Sequence, residues 1–199
     1  MHALKQLKAL SIGLLLLAIT PVALAHSDGA GVTGGFLSGF THPIGGLDHV
    51  TAMVAVGLWG FFLGRTAMWI LPVVFPLVMA MGGVMGLLGV PVPMIEPGIA
   101  VSSIVLGLLI ALAVKAPLWI AAVIVGAFAI FHGYAHGAEL PTAANPLAYS
   151  AGFVISTGLL HIAGIGFGEL GRFSWGKYAV RAGGGLIALA GVGFLTGAI

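Results

Sequence analysis

Residues 117–139 read PLWIAAVIVGAFAIFHGYAHGAE, and this stretch decides the fold. From Leu118 to Ile130 it carries no charged side chain. As a helix rising about 1.5 Å per residue it spans about 34 Å, enough to cross a hydrocarbon core of about 30 Å. Its last turns are not oily: His132, His136 and Glu139 stand at i, i+4 and i+7, on one face. A membrane helix that ends in a polar face needs neighbours to bury that face against, because an ionisable group in lipid is costly and has to pair, line water or do chemistry.

The rest of the chain has the same character. It is 60% hydrophobic and only 6% charged over 199 residues, with mean hydropathy +1.18, where soluble domains carry about 25% charged residues. A water-soluble enzyme is excluded. There is no cysteine, which removes disulfides, iron–sulfur clusters and thiolate metal sites. Six apolar stretches are near the length of a span: Leu47–Leu63, Ala67–Val90, Ile95–Val114, Pro117–Glu139, Pro146–Phe167 and Tyr178–Ile199. The expected architecture is all-α, a polytopic membrane helix bundle of six transmembrane helices forming one transport domain over residues 26–199.

Residues 1–25 have the form of a secretory signal peptide, with Lys5 and Lys8, an apolar run from Leu10 to Thr20, and Ala23-Leu24-Ala25 as a cleavage site. If the signal stays attached, the count becomes seven. With cleavage and an outside start, Arg65, Lys115, Arg172, Lys177 and Arg181 all fall in inward-facing connections, whereas the outward ones carry Glu96 and Glu139 and no basic residue. That is the positive-inside pattern. It predicts a multi-pass protein of the bacterial inner membrane with the mature N-terminus and C-terminus periplasmic. No nucleic-acid partner is implied by the +2 net charge, part of which leaves with the signal.

Gly82-x-x-x-Gly86, Gly133-x-x-x-Gly137 and Gly164-x-x-x-Gly168 are small-xxx-small patterns that let helix backbones approach closely. Pro72 and Pro76 predict a kink in the second span.

A second polar cluster precedes the first span: Thr41-His42-Pro43-Ile44-Gly45-Gly46-Leu47-Asp48-His49. Pro43 and the glycine pair predict a non-helical or re-entrant piece that delivers His42 to the mouth of that span. Asp48 reads either as an N-cap or as a metal contact. The first span runs inward from its polar end and the fourth runs outward to its own, so both clusters are expected at the periplasmic side. Two histidines one turn apart make a bidentate nitrogen site for a divalent transition metal, with Glu139 as ligand or as an orienting group behind an imidazole.

At these residues the sequence resembles the HupE/UreJ family of nickel and cobalt permeases. The family signature His-x5-Asp-His is matched by His42, Asp48 and His49, and Phe-His-Gly-x-Ala-His-Gly-x-Glu is matched from Phe131 to Glu139. The resemblance covers essentially the whole chain. It implies secondary uptake of Ni2+ or Co2+ as transported substrate, with no permanently bound cofactor, often in the service of nickel enzymes such as hydrogenase or urease. The implied partners are thus the divalent ion and the lipid bilayer.

The candidate metal site is therefore His42, Asp48, His49, His132, His136 and Glu139. Two weaker candidates accompany it. His161, deep in the fifth span, reads as a relay ligand or as a histidine satisfied by a helix–helix hydrogen bond. His26, with Asp28 nearby, reads as a chelating mature terminus or as a polar leader. Met53 and the cluster Met79, Met81 and Met85 read as packing. Ser102, Ser103, Ser156 and Thr157 are expected to hydrogen-bond across helices. Nothing resembles a phosphate-binding loop, so no ATP hydrolysis is expected. An intramembrane zinc hydrolase would draw on the same ligands, although the fourth span lacks His-Glu-x-x-His. A haem carrier would use two axial histidines.

Overall fold

A computed structural model describes residues 32–138 and 145–199. The signal segment, His26, Asp28 and Glu139 lie outside the described residues. The described chain is helical: α1 (Val32–Gly45), α2 (Leu47–Leu63), α3 (Arg65–Leu87), α4 (Ile95–Ala111), α5 (Leu118–Ala138), α6 (Pro146–Glu169), a 3-10 turn (Leu170–Arg172) and α7 (Gly176–Thr196). No strand occurs among the described residues.

The helix breaks follow from local chemistry. Gly46, extended at φ −97° and ψ 116°, separates α1 from α2. Gly64 alone joins α2 to α3 at φ 112°, a region that residues with a Cβ rarely enter. Asn145 caps α6, its side-chain oxygen accepting from the N–H groups of Leu147 (3.1 Å) and Ala148 (3.0 Å), with Pro146 at the first helical position where no N–H is needed.

Five of the six expected spans shift by only a few residues at their ends, and Leu47–Leu63 is found as written. Helices α3, α5, α6 and α7 are each long and apolar enough to cross a membrane, and the pair α1–α2, bent by 80° at Gly46, meets the same test jointly. Helix α4, an apolar helix of 17 residues, is at the short end of what a span needs. One expectation is corrected. The segment before the first span is helical, α1 continuing through Pro43 to Gly45 with only Gly46 leaving helical geometry, while its 80° bend against α2 is that of a broken span or a re-entrant loop. Pro43 has no N–H to donate to the carbonyl of Gly39 four residues back, so α1 continues through it with that bond missing. Helix α3 runs from Arg65 to Leu87 with Pro72 and Pro76 inside it.

Helix α2 is the centre of the bundle and packs against each of the other six helices. It is buried without interruption from Ala55 to Gly60, and Met53, Val56 and Trp59 are fully enclosed with Leu71, Phe75, Leu106, Ile110 and Val125. The outside is the reverse of a soluble surface. Trp69, Leu77, Met81, Trp119, Leu147, Leu186 and Leu189 are all more than half exposed, as lipid-facing side chains should be.

Glycine seams set the closest helix pairs. In α3 and α5 the two small-xxx-small patterns face each other: a Cβ on Gly133 or Gly137 would meet the backbone carbonyls of Met79 and Gly83, and one on Gly82 or Gly86 would meet those of Ile130 and Tyr134. In the α2–α6 pair, Gly57 lies on the His161 carbonyl and Gly164 on that of Val54. Gly39 and Gly152 join α1 to α6 in the same way.

The two ends of the bundle differ in charge. At one end the α2–α3, α4–α5 and α6–α7 connections gather: Trp59 Nε1 donates to the Val114 carbonyl (3.2 Å), Arg181 Nε to that of Ala111 (2.7 Å), and Arg172 lies over the Phe61 ring. Glu169, the acidic residue there, pairs with Arg172 at 2.6 Å. Asp48 and Glu96 sit at the other end, in the wall of a cavity of about 420 Å³ that also includes Ile199.

Candidate metal centre

Three helix ends build the site: the last turn of α1, the first turn of α2 and the last turns of α5. The α1–α6 seam at Gly39 and Gly152 brings His42 beside Tyr149 and Phe153, with ring centroids 6.2 and 6.1 Å away. The bend at Gly46 turns the chain so that His49, seven residues on, faces back toward His42 at 5.7 Å. The α3–α5 seam fixes the rotation of α5 and aims His132 and His136 at α2.

The closest approach is between His49 Nε2 and His136 Nε2, 2.8 Å apart. His42, His49 and His136 each offer one ring nitrogen, and these three atoms lie within 4.8 Å of one another. The His42 and His136 rings meet edge to face at 4.9 Å. His49 and His136 are buried, and His42 is half-buried.

Asp48 does not cap α2. The N-cap is Gly46, without a side-chain cap bond, and the Asp48 carboxylate sits 2.7 Å from His49 Nδ1. A carboxylate accepts only, so His49 Nδ1 carries the proton and its Nε2 turns a lone pair toward His136. This is the carboxylate–histidine arrangement that fixes the tautomer of a metal-binding imidazole and raises its basicity. Replacing Asp48 with asparagine should weaken metal affinity by about 10–100-fold, measured by equilibrium dialysis of the purified protein, while the helical circular dichroism stays unchanged.

His132 is one turn deeper, fully buried, its ring 5.3 Å from that of His49. Its Nε2 is 3.1 Å from Ser102 Oγ, whose hydroxyl is also 2.6 Å from the Ile99 carbonyl. Its Nδ1 has no hydrogen-bond partner among the described residues, nor has that of His136. Ser103 meets Thr51 across helices at 3.0 Å, whereas the hydroxyls of Ser156 and Thr157 meet no partner among the described residues.

The walls are aromatic. Phe153 lies 4.2 Å from His136, and Phe75 lies 5.7 Å from His132 and 5.4 Å from His161. Phe75, Tyr149 and Phe153 carry no sequence signal that separates them from ordinary packing, since their role comes only from which helices meet. His161 is fully buried and is not one of the triad; its ring meets Phe75. No helix–helix hydrogen bond to its ring is found among the described residues.

The site and fold together define a polytopic membrane protein with a histidine cluster at one end of its helix bundle. The sequence profile described as HupE / UreJ protein matches residues 14–194, and the chain belongs to that family. It is 46% identical to Protein HupE of Rhizobium leguminosarum bv. viciae over 182 residues, 92% of this chain and 95% of that protein. No solved structure matches it. Membership in a family of nickel and cobalt permeases supports a role in metal transport rather than in catalysis.

Proposed function

We propose that the chain takes up a divalent transition metal, Ni2+ or Co2+, by secondary transport across the bacterial inner membrane. The ion is held first by His42, His49 and His136, with Asp48 orienting His49, His132 one turn deeper, and Glu139, three residues beyond His136 in the sequence, as a further candidate ligand. The observation that carries this reading is the triad of ring nitrogens within 4.8 Å.

Two nitrogens each about 2.0–2.1 Å from one ion and at right angles to each other are about 2.9 Å apart. The 2.8 Å between His49 and His136 is close to that value, so an ion that displaces the proton between them and sits to the side of the line joining the two nitrogens reaches both once the rings turn toward it. Neutral imidazole suits nickel and cobalt, whereas magnesium and calcium favour oxygen shells. A small set of neutral imidazole donors holds an ion tightly enough to strip water and loosely enough to release it.

The basic residues gather at the opposite end of the bundle, which supports a cytoplasmic assignment for that end and a periplasmic one for the histidines and both mature termini. The metal delivered would serve nickel enzymes such as hydrogenase or urease. A zinc hydrolase is not favoured, because the family is one of permeases and α5 lacks the His-Glu-x-x-His arrangement of a zinc hydrolase. The 2.8 Å gap between His49 and His136 leaves no room for a macrocycle between them, which argues against the haem reading for that pair.

The test is uptake by the full chain in proteoliposomes with Ni2+, Co2+, Zn2+ and Mn2+. Saturable uptake of Ni2+ or Co2+ ahead of Mn2+ is expected, and no accumulation of any of them would overturn the proposal. A ligand imidazole must be unprotonated, so protons compete with metal for these nitrogens.

A further inference from the structure

His161 is fully buried on α6, and neither of its ring nitrogens has a hydrogen-bond partner among the described residues. Thr157, one turn earlier on the same face, is also fully buried with its hydroxyl unpartnered. A buried, unpaired imidazole costs free energy in any low-dielectric interior, and such groups call for a water or an ion that satisfies them. His161 is about 18 Å along α6 from Tyr149, which borders the outer triad. The tight α2–α6 contact at Gly57 holds it against the central helix.

One aromatic ring touches both the deepest imidazole of the outer cluster and His161: Phe75, fully buried on α3, has His132 at 5.7 Å and His161 at 5.4 Å. The imidazoles thus follow one another inward, from the triad to His132 and then past Phe75 to His161. An apolar constriction between polar sites is the kind of element that holds back hydrated ions until it moves.

We propose that His161 is a second, inner station for the transported ion, and that Phe75 is the partition the ion passes on its way there from His132. This rests on the transport reading above. At the inner station the ion meets a nitrogen donor, with the Thr157 hydroxyl one turn away, and it keeps part of its water shell. It is held more weakly than at the outer site and moves on toward the basic end of the bundle.

The experiment uses the full chain in proteoliposomes, loaded with radioactive nickel, in three versions: unaltered, His161→Phe and His161→Gln. His161→Phe should lower the maximal uptake rate at least tenfold while the half-saturating Ni2+ concentration changes less than twofold. His161→Gln, which keeps a donor of similar reach, should fall between the two. Co2+ binding by the detergent-purified variants should be unchanged in affinity, since the outer site is intact. Uptake by His161→Phe at the unaltered rate would overturn the proposal, and so would loss of Co2+ binding together with uptake in both variants, which marks a packing role. If His161→Phe does not accumulate in the membrane, the same rate and binding comparison for His161→Gln decides. Failure of the outer-site reading is separable, because it appears as normal uptake when His49 or His136 is replaced.

Discussion

Alanine at His49 or at His136 is expected to reduce metal uptake by more than about a hundredfold, with the protein still present in the membrane at its usual amount. Loss of a group that merely orients a ligand costs about 10–100-fold in affinity or activity, and these two residues contribute the nitrogens that come closest, at 2.8 Å. Each variant leaves the other imidazole facing a gap, so neither is rescued by its neighbour. The two effects should not add, because one ion needs both donors at once, and the double variant should be no worse than either single one. Uptake of radioactive nickel and cobalt by intact cells, normalised to immunoblotted protein, reads the outcome. Normal accumulation by both single variants would reject the assignment.

The second large effect is on the bundle itself. Gly133→Leu or Gly137→Leu should abolish recovery of folded protein from detergent, because even the first carbon of a side chain at these positions runs into the Met79 or Gly83 carbonyl. Backbone cannot rotate away as a flexible side chain can, so α3 and α5 would have to separate, and the packing that holds helices together in lipid would be lost along the seam. Gly158→Ala is the matching control: it is also helical, yet open space surrounds it. That variant should elute like the unaltered protein and melt within a few degrees of it. If the Gly133 and Gly137 variants did the same, the α3–α5 seam would be disproved. The seam bears on the site as well, since each of these glycines directly follows a histidine, and moving α5 moves both imidazoles.

Much of this was legible in the sequence because membrane helices announce themselves by length and apolarity. Leu47–Leu63 is found with both ends as expected, and the i, i+4 spacing of His132 and His136 fixed a common face before any packing was known. The meeting of the two histidine clusters was legible through chain direction alone: one span starts where the other ends. The segment from Val32 to Gly45 was not. Its glycines and Pro43 argue against a helix when the segment is read in isolation, and only the close contacts of Gly39 and Gly152 with α6 and α1 reveal that those glycines serve packing. The function of Asp48 was open between capping and ligation because both readings use the same side chain at the same helix end, and only the 2.7 Å contact with His49 separates them. Phe75 was invisible for a different reason. Its significance lies in two histidines on two other helices, and no local pattern encodes that neighbourhood.

The shallow position of the triad has an electrical consequence. His49 is the third residue of α2 and His136 is two residues from the end of α5, so on the proposed periplasm-to-cytoplasm route an ion captured there would have crossed little of the transmembrane voltage. About 2.3 kcal/mol per elementary charge per 100 mV is available over the full drop, roughly twice that for a divalent ion, and nearly all of it remains to be released after capture. Membrane polarisation should therefore leave loading almost untouched and act on the inward passage instead.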